Sequence, residues 1–154
     1  MALTEGNASQ TFQAQPEAYP SLRKWLEDVL MEVSSPLKTM QQILIASDEI
    51  FTNIASYAYP STTGKVDVSI AYDRQTQVIT LVFRDHGIPF NPLAENRETD
   101  KVTPLAERKI GGLGILIVRR MMDTVEYRFE NDCNVLTLTK KLNPAMVGQN
   151  EFPE

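Results

Sequence analysis

The chain has 154 residues, 42% of them hydrophobic and 23% charged, and a net charge of −5. That length suits one domain around one core, and the acidic balance argues against a surface that coats nucleic acid, which needs a basic face. With Cys133 as the only cysteine no internal disulfide forms, so a cytosolic setting is the simpler expectation. Met1 to Gln15 holds no basic start followed by an apolar run. No stretch approaches the ~20 apolar residues that span a bilayer, so neither export nor membrane insertion is expected.

Residues 1–9 are small and polar and are expected to fray. Thr11 to Gln15 alternates weakly and reads as a first strand. Pro20-Ser21 then opens a helix whose Leu22, Trp25, Leu26, Val29, Leu30 and Val33 recur at spacings of three and four. Ser34-Ser35-Pro36 ends it, because proline disfavours helix in the residue before it. A second helix is predicted from about Leu37 to Tyr57, with Ile43, Ile50, Phe51 and Ile54 on its apolar face. Gln42, Asp48, Glu49, Thr52, Asn53 and Ser56 form its polar face. Val66, Val68, Ile70 and Tyr72 alternate as a strand, and Val78 to Asp85 is its hairpin partner across Asp73 to Thr76. From Asn91 to Lys109 the chain is polar and aperiodic, with prolines at 92 and 104. A loop of that length inside a domain is usually functional. Gly111-Gly112 leads into a helix from Leu113 to Met122. Val125-Tyr127-Phe129 and Val135 to Leu142 close the domain as a hairpin around Glu130-Asn131-Asp132. Residues 143–154 read as a flexible tail, which leaves one domain over residues 10–142. Helices combined with antiparallel pairs predict an α+β sandwich, helices covering one face of a mainly antiparallel sheet.

Three groups of residues carry candidate chemistry. Glu49 and Asn53 lie four apart on one helix side, where a carboxylate and an amide can polarise a hydroxyl and hold a hard cation. Taken alone, the pair reads as the wet face of an amphipathic helix. Asp85 follows Ile79, Leu81 and Phe83 on one strand face, so it arrives in register with apolar residues. A buried carboxylate needs hydrogen-bond donors, and a nucleobase amino group would supply one. Gly87 lets the backbone turn and approach a flat ligand. In isolation Asp85 reads equally as a strand end capping a turn in water, and His86 reads as an exposed turn residue. Gly111-Gly112-Leu113-Gly114 opens a helix, and free N–H groups at a helix N-terminus bind phosphate. No Gly-Lys-Ser/Thr follows, so this is no P-loop.

The order of the three motifs resembles the GHKL ATP-binding (Bergerat) fold, a two-layer α/β sandwich. Asp48 to Tyr59, Asp85 to Pro92, Gly111 to Asp123 and the strand Asn134 to Leu138 are together similar to the anti-sigma-factor serine kinase branch, the SpoIIAB/RsbW-like proteins. Ser56 stands where many relatives carry histidine. The resemblance implies ATP and Mg²⁺ as cofactors. It implies Glu49 as general base toward a serine hydroxyl and Asn53 as the residue holding Mg²⁺. Asp85 would accept from the adenine amino group, with Gly87 against the base. Gly111, Gly112, Leu113 and Gly114 would meet the phosphates, and Thr137 would lie near the adenine. The segment 93–110 would close over the phosphates as a lid. The implied partners are a sigma factor and a STAS-type anti-sigma-factor antagonist, with no direct nucleic acid and no membrane; a homodimer stays open. A regulator whose ATP site only tunes protein binding, without kinase activity, is the alternative.

Overall fold

The computed structural model describes residues 6–94 and 111–142, beginning with strand β1 (Gly6–Gln13). Ala8 and Phe12 turn inward while their neighbours stay exposed. A single turn, Pro16–Ala18, leads into helix α1 (Tyr19–Glu32), with Pro20 in its first turn, where a missing N–H is harmless. Leu22, Leu26, Val29 and Leu30 form its buried stripe. Ser34 takes a left-handed φ of 59°, and the Ser35 N–H and hydroxyl both donate to the Leu30 carbonyl at 3.1 and 2.8 Å. These bonds satisfy a helix end that proline then closes off. Helix α2 (Leu37–Tyr57) matches its predicted bounds.

Strands β2 (Lys65–Asp73) and β3 (Val78–Asp85) follow, also as predicted. Helix α3 (Gly111–Met121) starts two residues before the expected Leu113. Strands β4 (Thr124–Glu130) and β5 (Cys133–Lys141) form the last hairpin. Its two-residue turn has positive φ at Asn131 and Asp132, the signature of a type I′ turn, and asparagine and aspartate tolerate that region best after glycine.

The sheet is wholly antiparallel, in the order β1-β2-β3-β5-β4. Its inward side chains, among them Val68, Ile70, Leu81, Phe83 and Leu138, join Leu26, Ile43, Phe51 and Val118 of the helices in one core. This is the expected two-layer α+β sandwich. Because β5 returns to pair with β3, Asn134 stands opposite Asp85. That crossing of chain-distant residues creates the site.

The expected frayed start needs correction: residues 6–9 pair with β2 from Gly6↔Tyr72 onward. A strand neighbour supplies hydrogen bonds whatever the side chains, so polar residues suffice on this edge. Residues 1–5, 95–110 and 143–154, and with them most of the expected lid segment and the expected tail, lie outside the described residues. No described helix is long and apolar enough to cross a membrane.

Candidate functional site

Strand alternation delivers Asp85 inward at 4% exposure, at the end of the row Ile79, Leu81 and Phe83. Its Oδ1 accepts from the Gly87 N–H at 2.8 Å and from the Asn134 Nδ2 at 2.9 Å. Oδ2 accepts no hydrogen bond among the described residues, and Asp85 lines a cavity. Among the described residues the carboxylate is thus anchored through one oxygen, and it caps the turn at Gly87 from a buried position, not from water.

Asn134 holds this arrangement. Its Nδ2 also donates to the Ile88 carbonyl at 2.8 Å. Its Oδ1 accepts from the Phe90 N–H at 3.0 Å and the Tyr127 hydroxyl at 2.5 Å. Flipping the amide would set its oxygen against the carboxylate, so the four partners define one orientation. Burial pushes the Tyr127 phenol above its usual range; the Phe90 N–H opposes this and the Asp85 charge adds to it. One side chain therefore ties β5 to Asp85 and to the loop after β3.

That loop packs on the end of α2. The Ile88 N–H donates to the Ala58 carbonyl at 2.9 Å. A Cβ on Gly87 would lie 2.2 Å from that carbonyl oxygen and 2.6 Å from the Ala58 Cβ. Gly87 is required here by the helix end behind it. The Tyr59 hydroxyl accepts from the His86 N–H at 2.9 Å and donates to the Lys65 carbonyl at 2.6 Å, fixing the loop from the other side. His86 is exposed, as expected, with its ring 3.4 Å from the Cys133 sulfur.

The cavity opens to solvent, and about 440 Å³ of empty space lies within it and its mouth. Ile50, Ile54, Phe83, Ile88 and Leu136 give it apolar walls, and Asp85, Asn134 and Asn53 supply the polar groups. A flat heterocycle bearing an amino group fits that donor and acceptor set. One turn back along α2, Glu49 is half-buried. A Cβ on Gly114 would stand 2.6 Å from its Oε1, so α3 packs against the carboxylate and a side chain there would push the tip of Glu49 aside. No hydrogen bond or ion pair within the described residues occupies Glu49.

The structure thus brings together Glu49, Asn53, Asp85, Gly87 and Gly114. Gly111, Gly112 and Leu113 form the first turn of α3. Thr137 is a correction. It pairs with Val82 and Glu126, three residues beyond Asn134, and alternation turns it to the opposite sheet face from Asp85. Thr137 does not line the cavity; Asn134, which sequence reasoning did not assign, does. Counting the parity of β5 against Asp85 would have found it, had the register been known. The described residues contain no cluster of three or more His, Cys, Asp or Glu side chains. A Mg²⁺ ion suits such a site when it keeps water and phosphate oxygens as its main ligands and takes few from protein.

The fold is of the GHKL type. The profile of the histidine kinase-like ATPase domain matches residues 12–140, and the chain belongs to that family. Its curated relatives include serine-protein kinase RsbW of Bacillus licheniformis, 24% identical over 137 residues, covering 87% of this chain and 84% of that one. RsbW of Bacillus subtilis is 27% identical over 138 residues with the same coverage. Serine/threonine-protein kinase BtrW of Bordetella bronchiseptica is 24% identical over 126 residues, covering 78% and 83%. Among solved structures, the RsbU and RsbW domains of Rv1364c from Mycobacterium tuberculosis superpose with a TM-score of 0.64 at 16% identity. That match covers 88% of this chain but only 32% of the mycobacterial one, so the likeness is one of fold.

Proposed function

We propose that this protein is an ATP-dependent serine kinase that phosphorylates a STAS-type anti-sigma-factor antagonist and sequesters a sigma factor, in the cytosol. One observation carries the reading. The Asp85 cavity borders Asn53, and Glu49 stands one turn away on the same helix, against the first turn of α3. A nucleobase held by Asp85 would direct its phosphates along α2 toward Glu49 and the glycines of α3. The names of the curated relatives, serine-protein kinases, support the same class.

In this reading Asp85 Oδ2 accepts from the adenine amino group while Asn134 keeps the carboxylate aimed. Asn53 offers its amide oxygen to Mg²⁺, which would neutralise phosphate charge. Gly111, Gly112, Leu113 and Gly114 offer backbone N–H groups at a helix N-terminus to the phosphates. Glu49 takes the proton of the serine hydroxyl as its oxygen bonds to the γ-phosphorus and ADP leaves. Phosphoryl transfer is mainly positioning and charge neutralisation, and this set provides both.

The test pairs a radiolabel transfer assay, on proteins retained from native cytosol, with ATP titration. Glu49→Ala should lose transfer by about 10²–10⁴-fold with little change in ATP affinity. Asn53→Ala should lose both. Absence of transfer by the parent would leave an ATP-tuned binding regulator as the better account. Transfer by Glu49→Ala at the parent rate would move the base elsewhere.

A further inference from the structure

Asn134 lines the cavity, yet its amide has no hydrogen-bonding position left for a ligand. An amide offers two N–H bonds and two acceptor positions. Both N–H bonds are donated within the protein, to Asp85 Oδ1 at 2.9 Å and to the Ile88 carbonyl at 2.8 Å. Both acceptor positions are filled, by the Phe90 N–H at 3.0 Å and by the Tyr127 hydroxyl. Asp85 is the reverse case. Its Oδ1 takes two donors, the Gly87 N–H and the Asn134 amide, while Oδ2 takes none among the described residues. Two donors on one oxygen fix the twist of the carboxylate, since rotation about its Cβ–Cγ bond would misalign both. Tyr127 completes the chain from the far side. Phe129 of β4 stands directly opposite Asn134, and Tyr127 stands two positions back on the same sheet face, opposite Leu136. Its hydroxyl therefore reaches Asn134 along the diagonal. A chain of hydrogen bonds thus runs from the edge strand β4 through β5 to Asp85 at the end of β3.

We infer that Asn134 and Tyr127 are the positioning residues of base selection: they hold Asp85 so that its unoccupied oxygen meets the 6-amino group of a purine. The inference rests on the nucleotide reading of the cavity. It adds that the preference for a 6-amino purine is set on β4 and β5 and not by Asp85 alone. Charge by itself does not make the selection. A hydrogen bond weakens steeply as its angle departs from linear, so a carboxylate free to turn gains less from the amino group. A purine without that group makes no such bond and is indifferent to the direction of the carboxylate. Tyr127 acts one bond further out. Its hydroxyl and the Phe90 N–H hold the Asn134 oxygen away from Asp85, which keeps the amide N–H turned toward the carboxylate. Donation by the hydroxyl also polarises the amide and strengthens the N–H bond on its other side.

The probes are ATP and purine riboside triphosphate, which lacks only the 6-amino group, each titrated with Mg²⁺ into the full chain. The ratio of the two affinities isolates the bond from the amino group to residue 85, because contacts that the nucleotides share cancel. The parent should prefer ATP by about tenfold or more, the value of one charged hydrogen bond. Asn134→Leu, which keeps the bulk and removes the amide, should bring the ratio most of the way to one. Tyr127→Phe, which deletes one hydroxyl, should lower it part of the way. Asp85→Asn should invert it, because the Gly87 and Asn134 donors keep the amide oxygen and turn the NH₂ toward the base. A purely structural role for Asn134 and Tyr127 would weaken both nucleotides alike. A parental ratio in Asn134→Leu and Tyr127→Phe, or an Asp85→Asn variant that still prefers ATP, would overturn the inference and leave the nucleotide site standing. Should Asn134→Leu fail to fold, Tyr127→Phe decides by the same ratio. A parent that binds neither nucleotide, or both equally, would overturn the assignment of Asp85 to the base and this inference with it.

Discussion

Asn134→Ala is the perturbation that most sharply probes how the cavity is held. It deletes four hydrogen bonds at once: two donated, to Asp85 Oδ1 and the Ile88 carbonyl, and two accepted, from the Phe90 N–H and Tyr127 hydroxyl. Each such bond contributes about 0.5–1.5 kcal/mol net, and a partner left buried costs more. Phe90 and Tyr127 are half-buried and can find water, whereas Asp85 cannot do so fully. We expect a loss of about 2–4 kcal/mol. For a chain of this size that lowers the melting temperature by roughly 5–15 °C. Urea unfolding followed by circular dichroism measures the first figure and a thermal scan the second. ATP affinity should fall as well, since Asp85 loses a side-chain anchor and keeps only the Gly87 N–H. A variant within about 0.5 kcal/mol of the parent would refute the reasoning, because surface substitutions alone reach that size. Thr137→Val is the matched control and should leave ATP affinity unchanged, as Thr137 lies on the other face of the sheet.

Gly87→Ala should destabilise by about 1–3 kcal/mol through its contact with the Ala58 carbonyl, read in the same urea titration. Gly114→Ala should displace Glu49 and slow phosphoryl transfer more than it weakens ATP binding; equal loss in both would show that Glu49 does not depend on this contact. The Tyr19, Tyr59 and Tyr127 pKa values are all raised, chiefly by burial. The unfolded chain therefore releases these protons first, and the stability they contribute is complete below pH ~10 and lost as pH rises through the folded values. Unfolding midpoints measured from pH 9 upward, beside phenolate absorbance, should fall as the tyrosines ionise. A midpoint independent of pH there would contradict the burial.

Elements with a strong period were legible from the residues. α2 was bounded correctly because its apolar stripe is uninterrupted from Ile43 to Ile54 and Pro36 and Pro60 flank it. β3 was legible as a strand, with Asp85 in register with Ile79, Leu81 and Phe83 because they alternate without a break, but those residues alone left its burial open against a turn cap in water. β1 was located only in its second half. Gly6, Asn7, Ser9 and Gln10 have little strand preference of their own, and their pairing comes from β2. Thr137 was misplaced for a different reason. A strand has two faces, and a shift of one residue in register exchanges them. The motif resemblance located β5 without fixing its parity, so Asn134, the residue that meets Asp85, went unassigned. Gly87 was read as letting the backbone turn and approach a flat ligand, whereas the Ala58 carbonyl that excludes a side chain there is distant in sequence and became visible only in three dimensions.

Calorimetric titration of ATP with Mg²⁺ into the parent and Asp85→Asn tests the central claim most directly. In the variant the amide oxygen can keep the bonds from Gly87 and Asn134, while its NH₂ replaces the acceptor that borders the cavity. Stability should change little. A donor would then face the adenine amino group, and the loss of one charged hydrogen bond, about 1.5–3 kcal/mol, weakens binding roughly 10- to 150-fold. The account predicts one site in the parent and that loss in a variant with the parent's unfolding midpoint. A parent that binds no ATP at millimolar nucleotide, or an Asp85→Asn variant that binds it as the parent does, would contradict the assignment of this cavity to the nucleotide.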